Sequence, residues 1–189
     1  MRVIAGIHRG RRLRQPQGFG LRPTSERVRE ALFSILGNRL PGCRFLDLYA
    51  GTGAVAIEAL SRGASHATCV ESDPTALKLL RQNVHDCVVG SSLTVYAQTV
   101  ERFLSRPDLW GREYDVVFAD PPYPMVMELT SIFEHSAIDR LFAPDSWFII
   151  EHAAKTRLPP LFGSCVYLRG YRYGDTALSL YSQTDRAPS

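Results

Sequence analysis

Residues 120–123 read Asp-Pro-Pro-Tyr and directly follow the apolar run at 116–119, so an acid, two prolines and an aromatic ring come where a buried strand ends. Neither Pro121 nor Pro122 can donate a hydrogen bond to a neighbouring strand, and the residue before each is restricted to extended backbone. The segment is therefore a stiff strand exit. Such stiffness suits a site in which acceptor groups must hold a fixed geometry.

A glycine loop follows an earlier strand of the sequence, at 43–49. Gly51 and Gly53 allow a tight turn and a close approach of the backbone to a ligand, and the helix that follows offers its N-terminus. With Ala56, the loop also satisfies the dinucleotide fingerprint G-x-G-x-x-A. The loop alone thus predicts a nucleotide-like ligand without separating a nicotinamide from other cofactors.

Two acids at strand ends sharpen this prediction. Asp47 precedes the glycines, where a carboxylate would repel a pyrophosphate but could receive an ammonium group, directly or through water. Glu71 closes the next strand about 20 residues after the glycines, where an acid can accept two ribose hydroxyls. A ribose and an ammonium together favour S-adenosylmethionine over NAD. The other residues predicted to contact this cofactor are Tyr49, Ser72 and, at the end of the third strand for the adenine, Thr99 and Val100.

Transfer of a methyl group to an exocyclic amine explains the strand exit at 120–123. The amine lone pair is delocalised into the base, so the site must aim it at the methyl group. Asp120 and the carbonyl of Pro121 would accept the two N–H groups and stabilise the developing positive charge. Tyr123 would stack on the base. Methylation at a ring carbon would require an attacking cysteine, and none lies next to this motif.

The whole chain has the size and composition of one soluble domain. Its 189 residues are 45% hydrophobic and 22% charged, and no apolar stretch approaches the length of a membrane span. The N-terminus does not resemble a signal peptide, so a cytoplasmic location is expected. The four cysteines have no metal-ligand spacing, which predicts buried thiols and no bound metal.

Short apolar runs alternate with helical stretches after Pro41. This pattern predicts a parallel sheet covered by helices on both faces, with two closing strands as an antiparallel hairpin. The expected fold class is α/β, a Rossmann-like class I methyltransferase with a mostly parallel seven-stranded sheet. Its fourth strand is expected beside its first, so that Asp120 faces the methyl group. The expected division is a basic arm and amphipathic helix at 1–40 and a methyltransferase domain at 41–189.

The positive charge of the chain is concentrated at its N-terminus. Residues 1–30 carry a net charge of +6, whereas the remaining 159 residues carry −3. Arginine contacts to phosphates give salt-dependent affinity for nucleic acids with little sequence information. An arginine-rich terminus can also be a solvated tail, but this density favours RNA contact. The predicted RNA-binding residues are Arg9, Arg11, Arg12, Arg14 and Arg22.

With these motifs the chain resembles the RsmD-type 16S rRNA (guanine-N2)-methyltransferases. The resemblance is carried by "RVIAGIHRGRRL", "LRPTSERVREALFSIL", "FLDLYAGTGAVAIEALSRGA", "VFADPPY" and "YRYGDTALSLY". It implies methyl transfer from S-adenosylmethionine to N2 of a guanine in small-subunit rRNA, within an assembling or assembled ribosomal subunit. It also implies that the segment at Arg22 and Thr24 covers the cleft, with Thr24 close to the cofactor.

Three other functions stay open. The glycine loop is compatible with an NAD-dependent oxidoreductase, although residues 120–123 then have no role. The glycine loop and D-P-P-Y also occur in DNA adenine-N6 methyltransferases, although this chain leaves little room for a separate target-recognition region. An RNA-binding module with a decayed catalytic site would bind RNA without turnover.

Overall fold

The chain forms two compact units, Met1–Thr99 and Val100–Ser189. The computed structural model describes residues 1–16, 26–122, 125–134 and 136–183. Three predicted site residues lie outside the described residues: Arg22, Thr24 and Tyr123. The predicted division into an arm with a helix at 1–40 and a methyltransferase domain at 41–189 stays a prediction.

Helices and strands alternate through the first unit after an N-terminal hairpin, whose antiparallel bridge joins Arg2 and Arg12. The elements are α1 (Glu26–Leu36), β1 (Arg44–Leu48), α2 (Ala54–Ser61), β2 (His66–Glu71), α3 (Pro74–Cys87) and β3 (Leu93–Ala97). β2 pairs in parallel with β1 on one side and β3 on the other. The parallel β-α-β pattern predicted from the apolar runs is confirmed here.

Local sequence signals set the bounds of α3. Asp73 accepts a hydrogen bond from the backbone N–H of Ala76 at 2.7 Å, and Pro74 occupies the first turn. This side chain satisfies one of the amides that a helix N-terminus leaves unpaired, and proline is tolerated there because its missing N–H has no partner in the helix. Asp73 is therefore the N-cap of α3.

α1 buries Val28, Leu32 and Leu36 and, beside them, Phe33 and one charged residue. Arg29 is fully buried and donates through Nη2 to the carbonyl of Arg2 at 2.7 Å, while Ala31 and Ile35 are only partly buried. Burial lowers the pKa of Arg29, and the carboxylates of Glu58 and Glu26 oppose that shift. One arginine that contributes to the basic N-terminus is therefore a core residue.

The second unit ends in a long antiparallel system. Its elements are α4 (Val100–Leu104), β4 (Tyr114–Ala119), α5 (Val126–Phe133), β5 (Phe142–Ala153), β6 (Leu161–Phe162), β7 (Cys165–Tyr173) and β8 (Thr176–Gln183). β4 and β5 are parallel, β8 pairs antiparallel with both β5 and β7, and β6 is antiparallel to β7. The predicted closing hairpin is confirmed, and the described residues add the short strand β6 to the seven expected. The helical region before β5 has two parts, since α5 ends at Phe133 and a 3-10 helix follows at Ser136–Leu141.

An aromatic cluster forms the core beneath this antiparallel system. The rings of Phe133 and Phe148 stack at 4.8 Å, and Phe162 meets Tyr181 edge-on at 5.0 Å. Offset and edge-on pairs of this kind add about 0.5–1.5 kcal/mol beyond the burial of their area. The cluster gives β7 and β8 a rigid base.

No helix among the described residues could cross a membrane. The four cysteines, Cys43, Cys69, Cys87 and Cys165, are all buried, as the sequence predicted.

Burial makes the folded protein sensitive to mild acid. Desolvation lowers the pKa of His152 and, in the first unit, of His66 and His8. His152 is buried against Ser179, with Nε2 2.9 Å from the serine Oγ. Because the unfolded state binds protons near the ordinary value of 6.5 and the folded state only at lower pH, the free energy of unfolding should fall as pH drops below about 6.5. Urea unfolding at pH 7.5 and 5.5 measures this loss, and His152→Gln should reduce it; equal stability at both pH values would contradict the prediction.

Candidate active site

Asp47 stands at the end of β1 and supports the start of α2. Its Oδ2 accepts a hydrogen bond from the backbone N–H of Ala56 at 3.2 Å, and the side chain is 1% exposed. Gly53, the N-cap residue, has no side chain to offer that helix, so a carboxylate from the strand supplies the capping interaction. Little of Asp47 is accessible to a ligand. The predicted contact of Asp47 with an ammonium group, directly or through water, stays a prediction.

In the loop between β1 and α2, three alternate residues have positive backbone φ angles, in the left-handed region. Tyr49, Gly51 and Gly53 have φ angles of 65°, 54° and 77°. A Cβ added at Gly53 would be strained by the positive φ and would lie in tight contact with Leu80, 3.1 Å from its Cγ. Tyr49 is not a glycine, and its positive φ is unfavourable by about 1–3 kcal/mol. The surrounding fold holds this tight turn despite that cost.

Glu71 closes β2 and is fixed beside the glycine loop. Its Oε2 accepts from the N–H of Gly51 at 2.7 Å, and its Oε1 accepts from Ser72 and Asp73 at 2.7 and 2.8 Å. A carboxylate has about four acceptor positions, so roughly one stays open for a ribose hydroxyl. A second hydroxyl would have to share or displace one of these amides. The structure thus brings together Glu71, Gly51 and Ser72, as the predicted cofactor site requires.

Asn83 is a polar residue of this region that the sequence motifs did not identify. Its side chain is fully buried on α3 and donates to the carbonyl of Thr52 at 2.9 Å. The same side chain accepts from the N–H of Arg14 at 2.7 Å and donates to its carbonyl at 3.2 Å. Asn83 therefore joins the glycine loop to the basic arm. An amide on the otherwise apolar face of an amphipathic helix was the signal that could have revealed it.

The basic arm is packed against α2 through a buried carboxylate. Glu58 is fully buried and accepts from the backbone N–H groups of Ile4 and Ala5 at 2.7 and 3.0 Å. Arg62 donates to the same carboxylate at 2.7 Å. A Cβ on Gly6 would come within 1.7 Å of the carbonyl oxygen of Ser61, so only glycine permits this approach. The arm is thus a docked hairpin and not the solvated tail weighed as the alternative.

Two of the predicted RNA-binding arginines have partners at the end of α3. Arg11 donates through Nη1 to the carbonyl of Cys87 at 2.6 Å, where a cation complements the helix dipole. Arg14 pairs with Asp86, with 2.9 Å between Nε and Oδ2. Arg9 and Arg12 are exposed, and their side chains form no ion pair with the described residues. The arm therefore presents two cations outward while two others hold it in place.

The second unit carries the predicted amine-orienting motif at the end of β4. Asp120 follows the buried Ala119 and is itself half-buried, whereas Pro121 is buried and Pro122 exposed. The carbonyl of Pro122 accepts from the N–H of Met125 at 2.8 Å, which fixes the chain as it enters α5. The predicted stiff exit from the strand is therefore present. An acid at this point is partly accessible and stands on a rigid backbone.

The two residues predicted to contact adenine differ in exposure. Thr99 is exposed, and Val100, at the start of α4, is 4% exposed. Val100 therefore has little surface to offer a ligand. This assignment stays a prediction.

Cys69 lies at the cofactor end of the first unit, opposite Asp47 in the register of β1 and β2. Burial raises its pKa well above the ordinary value, and the charges of Asp47 and Glu71 raise it further. A thiol held in its neutral form is a poor nucleophile. Cys69 is therefore a packing residue despite its place beside the predicted site.

Comparison with known proteins gives this geometry a family. Residues 1–182 match the family described as "Conserved hypothetical protein 95". "Ribosomal RNA small subunit methyltransferase D" of Escherichia coli K12 is 31% identical over 191 residues, an alignment that covers 100% of this chain and 93% of the relative.

Solved structures of other proteins share the fold of this chain. A hypothetical protein of Thermus thermophilus is 35% identical, with a TM-score of 0.80 over 95% of this chain and 98% of its own. An RNA methyltransferase from Salinibacter ruber, solved in complex with S-adenosyl-L-homocysteine, is 16% identical and shares the fold, with a TM-score of 0.64 over 88% of this chain and 97% of its own. The predicted Rossmann-like class I fold is confirmed, and the chain belongs to the RsmD-type family of rRNA methyltransferases.

Proposed function

We propose that this protein transfers a methyl group from S-adenosylmethionine to N2 of a guanine in small-subunit rRNA. The observation that carries the proposal is that the chain aligns over its whole length with a relative named as a small-subunit rRNA methyltransferase and keeps an acid at the rigid exit of β4. Neither an NAD-dependent oxidoreductase nor a decayed RNA-binding module gives that acid a function.

The cofactor contacts follow from the first unit. Glu71 is placed to accept a ribose hydroxyl because three amides already orient its carboxylate. The left-handed turn at Gly51 and Gly53 lets the backbone approach the ligand closely. Asp47, which is nearly inaccessible, would act on the cofactor ammonium through water.

The second unit supplies the chemistry on the base. Asp120 accepts one N–H of the guanine amine, and the carbonyl of Pro121 accepts the other, so the nitrogen lone pair is directed toward the methyl group. S-adenosylmethionine would supply the methyl group to the amine nitrogen and leave as S-adenosylhomocysteine, and positive charge would develop on the amine until a proton leaves the nitrogen for the Asp120 carboxylate. The carboxylate stabilises that charge. Tyr123 stacks on the base.

Labelled S-adenosylmethionine and small ribosomal subunits from cells that lack the endogenous enzyme provide the test. Nucleoside analysis of the product should yield labelled N2-methylguanosine. If DNA is supplied in place of the subunits, labelled N6-methyladenine would favour the adenine-specific alternative. Label on another RNA nucleoside would retain the reaction class and exclude the guanine assignment. Absence of any transfer with RNA still bound would support a decayed site.

The outward arginines of the arm should contribute to RNA binding more than the docked ones. Removing two phosphate contacts with Arg9→Gln/Arg12→Gln should reduce the slope of log affinity against log salt by about 1.4, because each contact to a single strand contributes about 0.7. Arg11→Gln/Arg14→Gln removes the same charge but also loosens the arm, so it should lower the Tm as well. RNA binding across a salt series and thermal unfolding measure both effects. An unchanged slope in the Arg9/Arg12 variant would remove the arm from the RNA interface.

A further inference from the structure

The C-terminal strands of the second unit border a groove of about 500 Å³ that the proposed chemistry does not use. This volume is within the range of small-molecule sites in proteins. The lining includes Tyr167, Gly170 and Arg172 of β7, and Arg157, Pro159 and Pro160 of the segment that precedes β6. The lining residues that the structure describes combine apolar and aromatic surface with two arginines and include no acid.

The walls of the groove are held by hydrogen bonds. The carbonyl of Pro160 accepts from the N–H of Tyr167 at 2.9 Å, and the carbonyl of Pro159 accepts from the hydroxyl of Tyr181 at 2.8 Å. Two consecutive prolines have fixed φ angles, so these two bonds leave the segment little freedom. The groove is therefore shaped before any ligand arrives, which reduces the entropy lost on binding.

Tyr167 presents an aromatic surface inside this groove. Its ring packs edge-on against Tyr181 with 5.5 Å between centroids, yet 44% of the residue is exposed. A Cβ on Gly170 would lie 2.8 Å from the Tyr167 hydroxyl, so the phenol end extends over that glycine. The contact with Tyr181 orients the ring and leaves surface for a second planar group.

The charges of the groove are available to an anion. Arg157 and Arg172 are exposed, and neither has a carboxylate partner within the described part of the chain. Arg172 donates through Nε to the carbonyl of Gly174 at 3.0 Å, which orients its guanidinium and leaves its terminal nitrogens for a ligand. A planar guanidinium matches the oxygens of a phosphate.

We propose that this groove binds one nucleotide of single-stranded RNA, with the base against Tyr167 and the prolines and a phosphate on Arg157 and Arg172. The inference rests on the proposed RNA substrate and adds a second contact site for it. Between the lining residues Tyr167 and Gly170, β7 also carries Leu168, 54% exposed, and Arg169, whose guanidinium lies 5.7 Å from the ring centroid of Tyr171, another lining residue. This exposed strand gives the neighbouring nucleotides both cation and aromatic surface, which favours a strand of RNA over a free nucleotide.

The first test removes the two cations. Arg157→Gln/Arg172→Gln should weaken binding of a fluorescent single-stranded RNA about tenfold and reduce the salt slope by about 1.4. Lys78→Gln/Arg81→Gln removes the same charge from the exposed surface of α3 and serves as the matched control. Equal affinity and slope in the groove variant and the wild-type protein would overturn the proposal.

The second test probes the ring. Tyr167→Phe keeps the stacking surface and should bind RNA like the wild-type protein, whereas Tyr167→Leu should lose affinity by about tenfold. Thermal unfolding shows whether each variant is folded. RNA that contains 4-thiouridine should crosslink to the wild-type chain within residues 157–172. Crosslinks confined to the N-terminal hairpin would overturn the groove assignment.

These outcomes separate the groove from the proposed reaction. If groove variants lose RNA affinity while the methylated nucleoside is not N2-methylguanosine, the groove stands and the reaction assignment fails. If N2-methylguanosine forms and groove variants bind RNA normally, the reaction stands and the groove assignment fails.

Discussion

Replacement of Asp120 by alanine is expected to lower the rate of methyl transfer at least about a hundredfold while binding of S-adenosylmethionine stays nearly unchanged. The physical reason is that, in the proposed reaction, the carboxylate accepts a hydrogen bond from the target amine and stabilises the charge that develops on it. The transfer rate of Asp120→Asn should lie between those of the wild-type protein and Asp120→Ala, because the amide oxygen still accepts a hydrogen bond but carries no charge. Transfer from labelled cofactor and calorimetric titration of the cofactor measure the two quantities separately.

Glu71→Gln is the complementary variant. It should weaken cofactor binding, because the neutral amide is a poorer acceptor for the ribose hydroxyl and one of its two positions becomes a donor facing the amides of Gly51, Ser72 and Asp73. Its transfer rate at saturating cofactor should change less than that of Asp120→Ala. If Asp120→Ala instead loses cofactor affinity and retains transfer, the assignment of Asp120 to the amine is wrong.

Glu58→Ala is expected to lower the free energy of unfolding by about 3–5 kcal/mol, the cost of removing one partner from a buried charged pair. The carboxylate is fully buried, so its loss leaves the amides of Ile4 and Ala5 and the guanidinium of Arg62 without their acceptor. Urea unfolding at neutral pH gives the stability. Hydrogen exchange at Ile4 and Ala5 should accelerate, because these amides lose their partner.

A surface acid provides the control for this effect. Glu101 is exposed on α4, and Glu101→Ala should change stability by no more than about 0.5 kcal/mol. Glu58→Gln keeps one acceptor oxygen and should be less damaging than Glu58→Ala. A loss below about 1 kcal/mol in Glu58→Ala would show that the arm is held mainly by its other contacts, such as those of Asn83 and Arg11.

Within the first unit, the docked arm is connected to the proposed cofactor loop. Asn83 contacts both the carbonyl of Thr52 in the glycine loop and the backbone of Arg14 in the arm. If RNA binding moved the arm, the hydrogen bonds of Asn83 would therefore change, and Asn83 also supports the proposed cofactor loop. The salt-dependent contacts of Arg9 and Arg12 are the means by which RNA would act on this arm.

Local sequence determined much of what was predicted. The bounds of α3 follow from an N-cap at Asp73 and a proline at the first turn, and the strands at 66–71, 93–97 and 114–119 begin and end where their apolar runs do. The stiff exit at Asp120 and the glycine turn likewise depend on residue types that restrict or free their own backbone. Such features need only a few neighbouring residues, so the sequence by itself specifies them.

Tertiary structure decided which polar side chains serve the fold and which face outward. The sequence grouped Arg9, Arg11, Arg12 and Arg14 as equals, but Arg11 and Arg14 find partners on α3 more than 70 residues away. The net charge of residues 1–30 includes Arg29, although that side chain is buried, and the groove beside Tyr167 could not be predicted because residues from separate strands build it. Burial and long-range hydrogen bonds arise only when distant segments meet, and their energies depend on desolvation that no single segment can indicate.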